Sequence, residues 1–309
     1  MPRYVRKLAL LAKIEGTYGT DPTPAGDTNA IQAHDVQLTP IAGGEEMRDL
    51  LLPYMGHQGV LLTGNYGMLE FGVEVAGAGG AGDVPAYGPL LRACGLSETV
   101  TAETDVVYEP VSAAFEAVTL YYSLDGVRHI LLGCRGNVTV EFAPARIPRY
   151  RFRMLGLLGT VSDTALPSVD LAGFVTPVVV SKANTTFALH SYSVGPTESV
   201  SIDLGNQVEP RLLINHESIQ IVDRRSTASV VMEAVLLATK NWQSIALGHT
   251  TGALALVHGT VAGNIVQIDA PAAQVGRYSQ GQSQGILNNT LPLMLIPDEG
   301  NDELVITVK

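Results

Sequence analysis

From Met68 to Ala76 the chain alternates without a break: Leu69, Phe71, Val73 and Val75 are apolar, and Glu70, Gly72 and Glu74 stand between them. Successive side chains of a strand point to opposite faces, so this spacing turns one apolar face to a core and two carboxylates to an open face. Weaker strand signals occupy residues 31–40, 60–63, 114–123, 129–133 and 137–142. Thirty-two glycines and 17 prolines interrupt the segments between them, which disfavours long helices and predicts a mainly β chain.

Composition adds a second constraint. Hydrophobic residues make up 46% of the 309 positions and charged residues only 16%, against about 25% in an ordinary soluble domain. So little charge predicts that part of the exterior is covered by other copies. Thirty acids against 19 bases give a formal charge of -11, which opposes tight wrapping on a phosphate backbone. Arg3, Arg6 and Lys7 precede a short apolar run at 8–12, but Lys13 and Glu15 end it too early for a signal peptide. No stretch predicts a membrane span, so a cytoplasmic site of synthesis and assembly is expected.

Several connections carry their own signals. Residues 16–30, rich in Gly, Pro, Thr and Asp, read as an extended arm that lies over a neighbour. Residues 41–59 read as one long connection holding Glu45, Glu46 and Asp49 beside exposed-looking Leu51 and Tyr54; loops of that length usually bind something. A short helix is expected over 87–94, closed by Gly95, and Asp125-Gly126 predicts a hairpin turn. Arg149, Arg151 and Arg153 alternate with Tyr150, Phe152 and Met154, which puts three guanidiniums on one strand face. From about Ser168 the same order of events restarts, with 229–234 and 241–248 laid against 69–75 and 87–95. The predicted division is therefore 1–168 and 169–309, as tandem β domains with one short helix each.

Motifs for chemistry fail their context tests. Residues 77–82 fit GxGxxG, but the preceding strand alternates and Asp83 and Pro85 interrupt any following helix; a flexible glycine loop is expected, with no cofactor. Residues 281–285 fit GxSxG around Ser283, the remote signal of a serine hydrolase, yet no helical period follows. The seven histidines are scattered, and Cys94 and Cys134 have no metal-ligand spacing, so neither a metal nor a triad is predicted. In so acidic a chain the 146–153 basic run is read as pairing with carboxylates at a subunit contact, with Glu45, Glu46 and Asp49 as partners, rather than as a nucleic-acid stripe.

Taken together, residues 10–31 (LLAKIEGTYGTDPTPAGDTNAI), 85–100 (PAYGPLLRACGLSETV), 121–138 (YYSLDGVRHILLGCRGNV), 270–276 and 300–309 resemble the major tail tube proteins of long-tailed, non-contractile bacteriophages. The resemblance implies a β-sandwich or barrel-like tube domain, inner strands of neighbouring subunits closing a channel, and long loops and arms locking ring on ring. It also implies a virion tail location, tape-measure, tail terminator and distal tail proteins as partners, and DNA that crosses the lumen without tight binding. A chain holding two such domains would build a pseudo-sixfold ring from three copies, a hexamer being the alternative. Glu70 and Glu74 are the expected lumen residues of an acidic bore. Another ring-forming tail component, such as a terminator or distal tail protein, is the competing reading.

Overall fold

In the computed structural model, which describes residues 2–309, the alternating stretch is the second half of a longer strand. The first half of the chain forms β1 (Leu8–Ile14), β2 (Ala30–Ile31), β3 (Ala33–Met47), β4 (Val60–Glu74), α1 (Gly88–Ala93), β5 (Leu96–Thr101), β6 (Asp105–Pro110), β7 (Val118–Leu124), β8 (Val127–Phe142) and β9 (Arg149–Asp163). The second half forms β10 (Thr185–Leu189), β11 (Thr197–Asp203), β12 (Asn206–Leu213), β13 (His216–Arg224), β14 (Thr227–Glu233), α2 (Trp242–Leu247), β15 (Thr251–His258), β16 (Val266–Val275), β17 (Ser279–Ser283), β18 (Ile286–Ile296) and β19 (Val305–Val308). The chain is mainly β, and every strand pairing is antiparallel. Among the described residues no helix is long and apolar enough to cross a membrane.

Pairing gives the first half the order β1-β7-β8-β9-β4-β3. The second half has the order β10-β15-β16-β18-β14-β11. Strand for strand, the two series match in chain order as well as in sheet order. In each half the helix lies between the strand that returns from the long hairpin and the next strand of the sandwich. The halves are stitched together twice. β8 pairs with β11 through Val140↔Ile202 and Phe142↔Val200, and the C-terminal β19 pairs with β6 as well as with β16. One continuous core results, running from Phe71, Tyr108 and Phe152 to Val230, Leu256 and Ile306.

Local sequence explains the elements that position this core. Leu69, Phe71, Val73 and Val75 are all buried, and Phe71 stacks on Phe152 of the neighbouring β9 at 5.5 Å. Burial of each such side chain contributes roughly 1.5–3 kcal/mol. α1 starts with Pro89 in its first turn, sinks Leu90 and Leu91, and ends where Gly95 takes φ +79° and donates to Arg92 O. Asp125 and Gly126 have φ of 37° and 94°, the pair of left-handed residues that a two-residue hairpin needs between β7 and β8. α2 is held by Asn241, whose side chain accepts from Ser244 N, and by the buried Trp242.

Two expectations are corrected. Residues 41–59 are not one connection, because β3 runs on to Met47 and β4 begins at Val60. Glu45 and Glu46 are therefore strand residues paired with Leu62 and Leu61, and only 48–59 is a loop. The 129–133 and 137–142 signals are one strand, β8, carried across its glycines by a bulge between Leu132 and Arg135. The 16–30 arm is tied along its own chain by polar groups, to the first half and, through Tyr18, to Ile219 of the second. Glu15 accepts from Gly133 N and Thr119 Oγ1, Tyr18 donates to Gly133 O, and Tyr121 donates to Asp21.

Candidate functional site

Four strands of each half join edge to edge into one inner sheet, β3-β4-β9-β8-β11-β14-β18-β17. Its apolar side is the core. Its other side is open and carries Glu70 and Glu74 from β4, Arg149, Arg151 and Arg153 from β9, Asn137, Thr139 and Glu141 from β8, then Ser201 and Asp203 from β11 and Thr227 and Ser229 from β14. Register places them side by side: Glu70↔Arg153, Glu74↔Arg149, Glu141↔Arg149, Thr139↔Asp203 follow from β4-β9, β9-β8 and β8-β11 pairing. Cross-strand neighbours on one face sit within reach of one another, so charges of opposite sign meet here by construction.

The ion pairs on this face are exposed. Arg153 Nε lies 3.3 Å from Glu70 Oε1 and Arg151 Nη2 lies 3.6 Å from Asp35 Oδ2. A bond from the adjacent His34 is the main cause holding the Asp35 carboxyl below its usual range, with Arg151 adding to it. Exposed pairs of this kind contribute little stability, about 0–1 kcal/mol each. Within the chain, then, the arginine run takes Glu70 and Asp35 as partners, while Glu45 and Glu46 lie toward the far end of the β3-β4 hairpin. A groove of about 610 Å³ continues the face toward the β8-β9 turn, lined among others by Glu141, Arg146, Arg149 and Arg151.

A second surface is the pair of hairpins that rise from the inner sheet between β3 and β4 and between β11 and β14. The first ends in 48–59, where Leu51 and Met55 are fully exposed and Tyr54 is 69% exposed; Asp49 is exposed beside them. The second, β12-β13, ends in Leu213, Ile214 and Asn215, with Ile214 93% exposed. Its base is not free. Arg135, buried within β8, donates to Phe115 O at 2.6 Å and Ile219 O at 2.9 Å, reaches Glu116 O and Gln220 Oε1, and stacks over the Tyr18 ring. Tyr18 Oη accepts from Ile219 N at 2.6 Å, and burial raises its hydroxyl above the ordinary tyrosine value. Arg224 ties the other end to Glu303 and Val111 O. An arginine inside the 131–138 apolar run was the sequence signal for this latch, and the pattern reading missed it.

The motifs of chemical interest have structural occupations. Residues 77–82 are not a loose glycine loop: Gly77 N donates to Asn264 Oδ1, Gly79 N to Gly263 O, and a side chain at Gly77 would stand 2.2 Å from Gly263 O. Ser283 closes β17 opposite Ile286, and Gln284 and Gly285, with φ of 51° and 81°, form the turn into β18, so the segment is strand-turn-strand. His258 and His190 are buried on backbone carbonyls of Val178 and Ala273. Cys94 and Cys134 are buried free thiols whose pKa values burial drives upward.

Among the described residues, an antiparallel sheet with a polar open face, two outer strands lacking a second neighbour and apolar tips on paired hairpins leaves surfaces free for self-association. The sequence comparison gives the lineage: a family model described as phage tail tube protein matches residues 6–292, and the chain belongs to that family. A search among curated proteins gives no match. The protein is thus a virion tail component that self-assembles into a tube.

Proposed function

We propose that the chain polymerises as stacked rings, each of three copies, into the tail tube, and that the bore of this tube conducts genomic DNA during ejection. The role is mechanical rather than catalytic. The observation that carries the reading is the eight-stranded inner sheet, unpaired at both ends, whose two four-stranded halves repeat one strand order. Halves 1–168 and 169–309 act as two tube domains in tandem, so three chains supply six equivalents around the axis.

The open face is read as the lumen wall, with Glu70 and Glu74 in it. Glu70, Glu74, Glu141 and Asp203 outnumber Arg149, Arg151 and Arg153, and two of the arginines already have carboxylate partners. Guanidiniums committed in this way release fewer counterions to a passing phosphate backbone, so DNA gains little by stopping. The tips at Leu51, Tyr54 and Met55 and at Ile214, together with Glu45, Glu46 and Asp49, are assigned to contacts between rings. Assembly takes place in the host cytoplasm, with tape-measure, terminator and distal tail proteins as partners.

Negative-stain electron microscopy of the purified chain at high concentration tests the proposal. Long hollow tubes support it. Isolated rings that never stack indicate a terminator or distal component instead, and monomers at every concentration refute it.

A further inference from the structure

We infer that the groove beside the β8-β9 turn is a binding site for a phosphate group, held chiefly by Arg146 and Arg149. The groove has a volume of about 610 Å³, and its polar lining is Arg146, Arg149, Arg151, Thr139, Ser201 and a single carboxylate, Glu141. Register brings these groups together. Arg149, Glu141 and Ser201 stand in one row across β9, β8 and β11, and Arg151 and Thr139 stand in the next. Arg146 comes from the turn between β8 and β9, which two backbone bonds hold in place: Ala145 N donates to Val180 O and Val180 N to Arg146 O, both at 2.9 Å.

Pairing within the chain does not use up these guanidiniums. Arg151 has a loose partner in Asp35 at 3.6 Å, whereas Arg146 and Arg149 make no ion pair among the described residues. Glu74, the other register neighbour of Arg149, lines a separate small cavity with Gln32 and Val175. The Nε of Arg149 is buried and finds no acceptor in the chain. Buried polar groups are almost always partnered, so this one marks a place for an acceptor from outside. Guanidiniums present paired N–H donors that match phosphate oxygens, and a tetrahedral anion accepts from two arginines and a hydroxyl at once. Glu141 offsets one guanidinium of the groove; a doubly charged phosphate offsets the rest. The site needs no tube, but its consequence rests on the proposed function. With phosphate seated, the bore arginines that lack a carboxylate partner are neutralised, and passing DNA meets fewer free guanidiniums able to displace its counterions.

Titration of the purified chain with sodium phosphate tests the site, read by calorimetry and by broadening of the free-phosphate resonance in phosphorus NMR. Constant ionic strength separates binding at a site from screening. Saturable one-to-one binding is expected. It should weaken about tenfold or more in Arg149→Gln and in Arg146→Gln, because each removes a charge-assisted bond. It should stay within about twofold of wild type in Arg153→Gln, whose partner Glu70 lies outside the groove. Arg146 is exposed, so its replacement leaves the fold intact and keeps the test decisive. A short DNA duplex titrated in the same way separates the sources of the group. Binding of free phosphate alone supports both the site and a passive bore. Duplex binding that both arginine variants lose keeps the site and overturns passage without binding. Binding of neither, or phosphate binding that Arg146→Gln and Arg149→Gln leave unchanged, overturns the site and leaves the proposed function standing.

Discussion

Replacing Arg135 with methionine removes a guanidinium that joins the first half of the chain to the β12-β13 hairpin. Its hydrogen bonds to Phe115 O and Glu116 O on one side and to Ile219 O and Gln220 Oε1 on the other are lost together, as is the contact with Tyr18. Methionine fills much of the volume but leaves backbone carbonyls without donors in a site where Arg135 is only 8% exposed. An unmet buried acceptor costs about 1–3 kcal/mol, and removal of a buried charge returns part of that sum, so a net loss of about 3–5 kcal/mol is expected. For a chain of this size about 1 kcal/mol moves the midpoint by roughly 2 °C, so Tm should fall by about 6–10 °C. Hydrogen exchange locates the damage. Amides of 206–224 should lose protection, while those of β4 and β9 keep theirs. A midpoint within about 2 °C of wild type, or protection lost uniformly, would refute the argument that Arg135 fastens this hairpin.

Other consequences follow from the same structure. Tyr18→Phe deletes the acceptor for Ile219 N and should cost about 1–3 kcal/mol in denaturant unfolding, without changing the sheets seen by circular dichroism. Burial holds His258 below its usual imidazole value, with His190 and His129 shifted the same way. Their neutral forms are the ones folding favours. Stability is thus fully present above the unfolded-state value of about 6.5 and falls as pH drops through the range below it; His258→Gln should flatten that slope between pH 7.5 and 5. Leu51→Ser with Met55→Ser alters fully exposed side chains, so unfolding should stay within about 0.5 kcal/mol of wild type while tube length in electron micrographs drops sharply. Glu70→Lys with Glu74→Lys should leave assembly intact and slow DNA exit, most strongly at low salt, where counterion release is worth most.

How much of this was legible beforehand depends on how local the cause was. The second half of β4, α1 and the Asp125-Gly126 turn were readable because alternation, a closing glycine and a left-handed pair act within a few residues. The extension of β3 through Gly43, Gly44, Glu45 and Glu46 was not, since its cause is the pairing of these residues with Leu61 to Thr63 across the hairpin. Glu70 and Glu74 were placed on an open face by alternation alone, and the arginines of β9 likewise. That the two sets share one face needed the register Glu70↔Arg153, which no local pattern contains. Glu141 and Asp203 joined the same face only through the β8-β11 seam. The order of elements in the second half could be seen in outline; its strand-by-strand match to the first required the sheet.

The side of the inner sheet that looks into the tube decides whether DNA meets the charged face. A cryo-electron microscopy reconstruction of the assembled filament measures this directly. The prediction is a hollow bore walled by β4, β9, β8, β11 and β14, with Glu70, Arg153, Glu141 and Asp203 pointing into it. A filament whose bore is walled by other strands, with these four side chains on its outer surface, would contradict it.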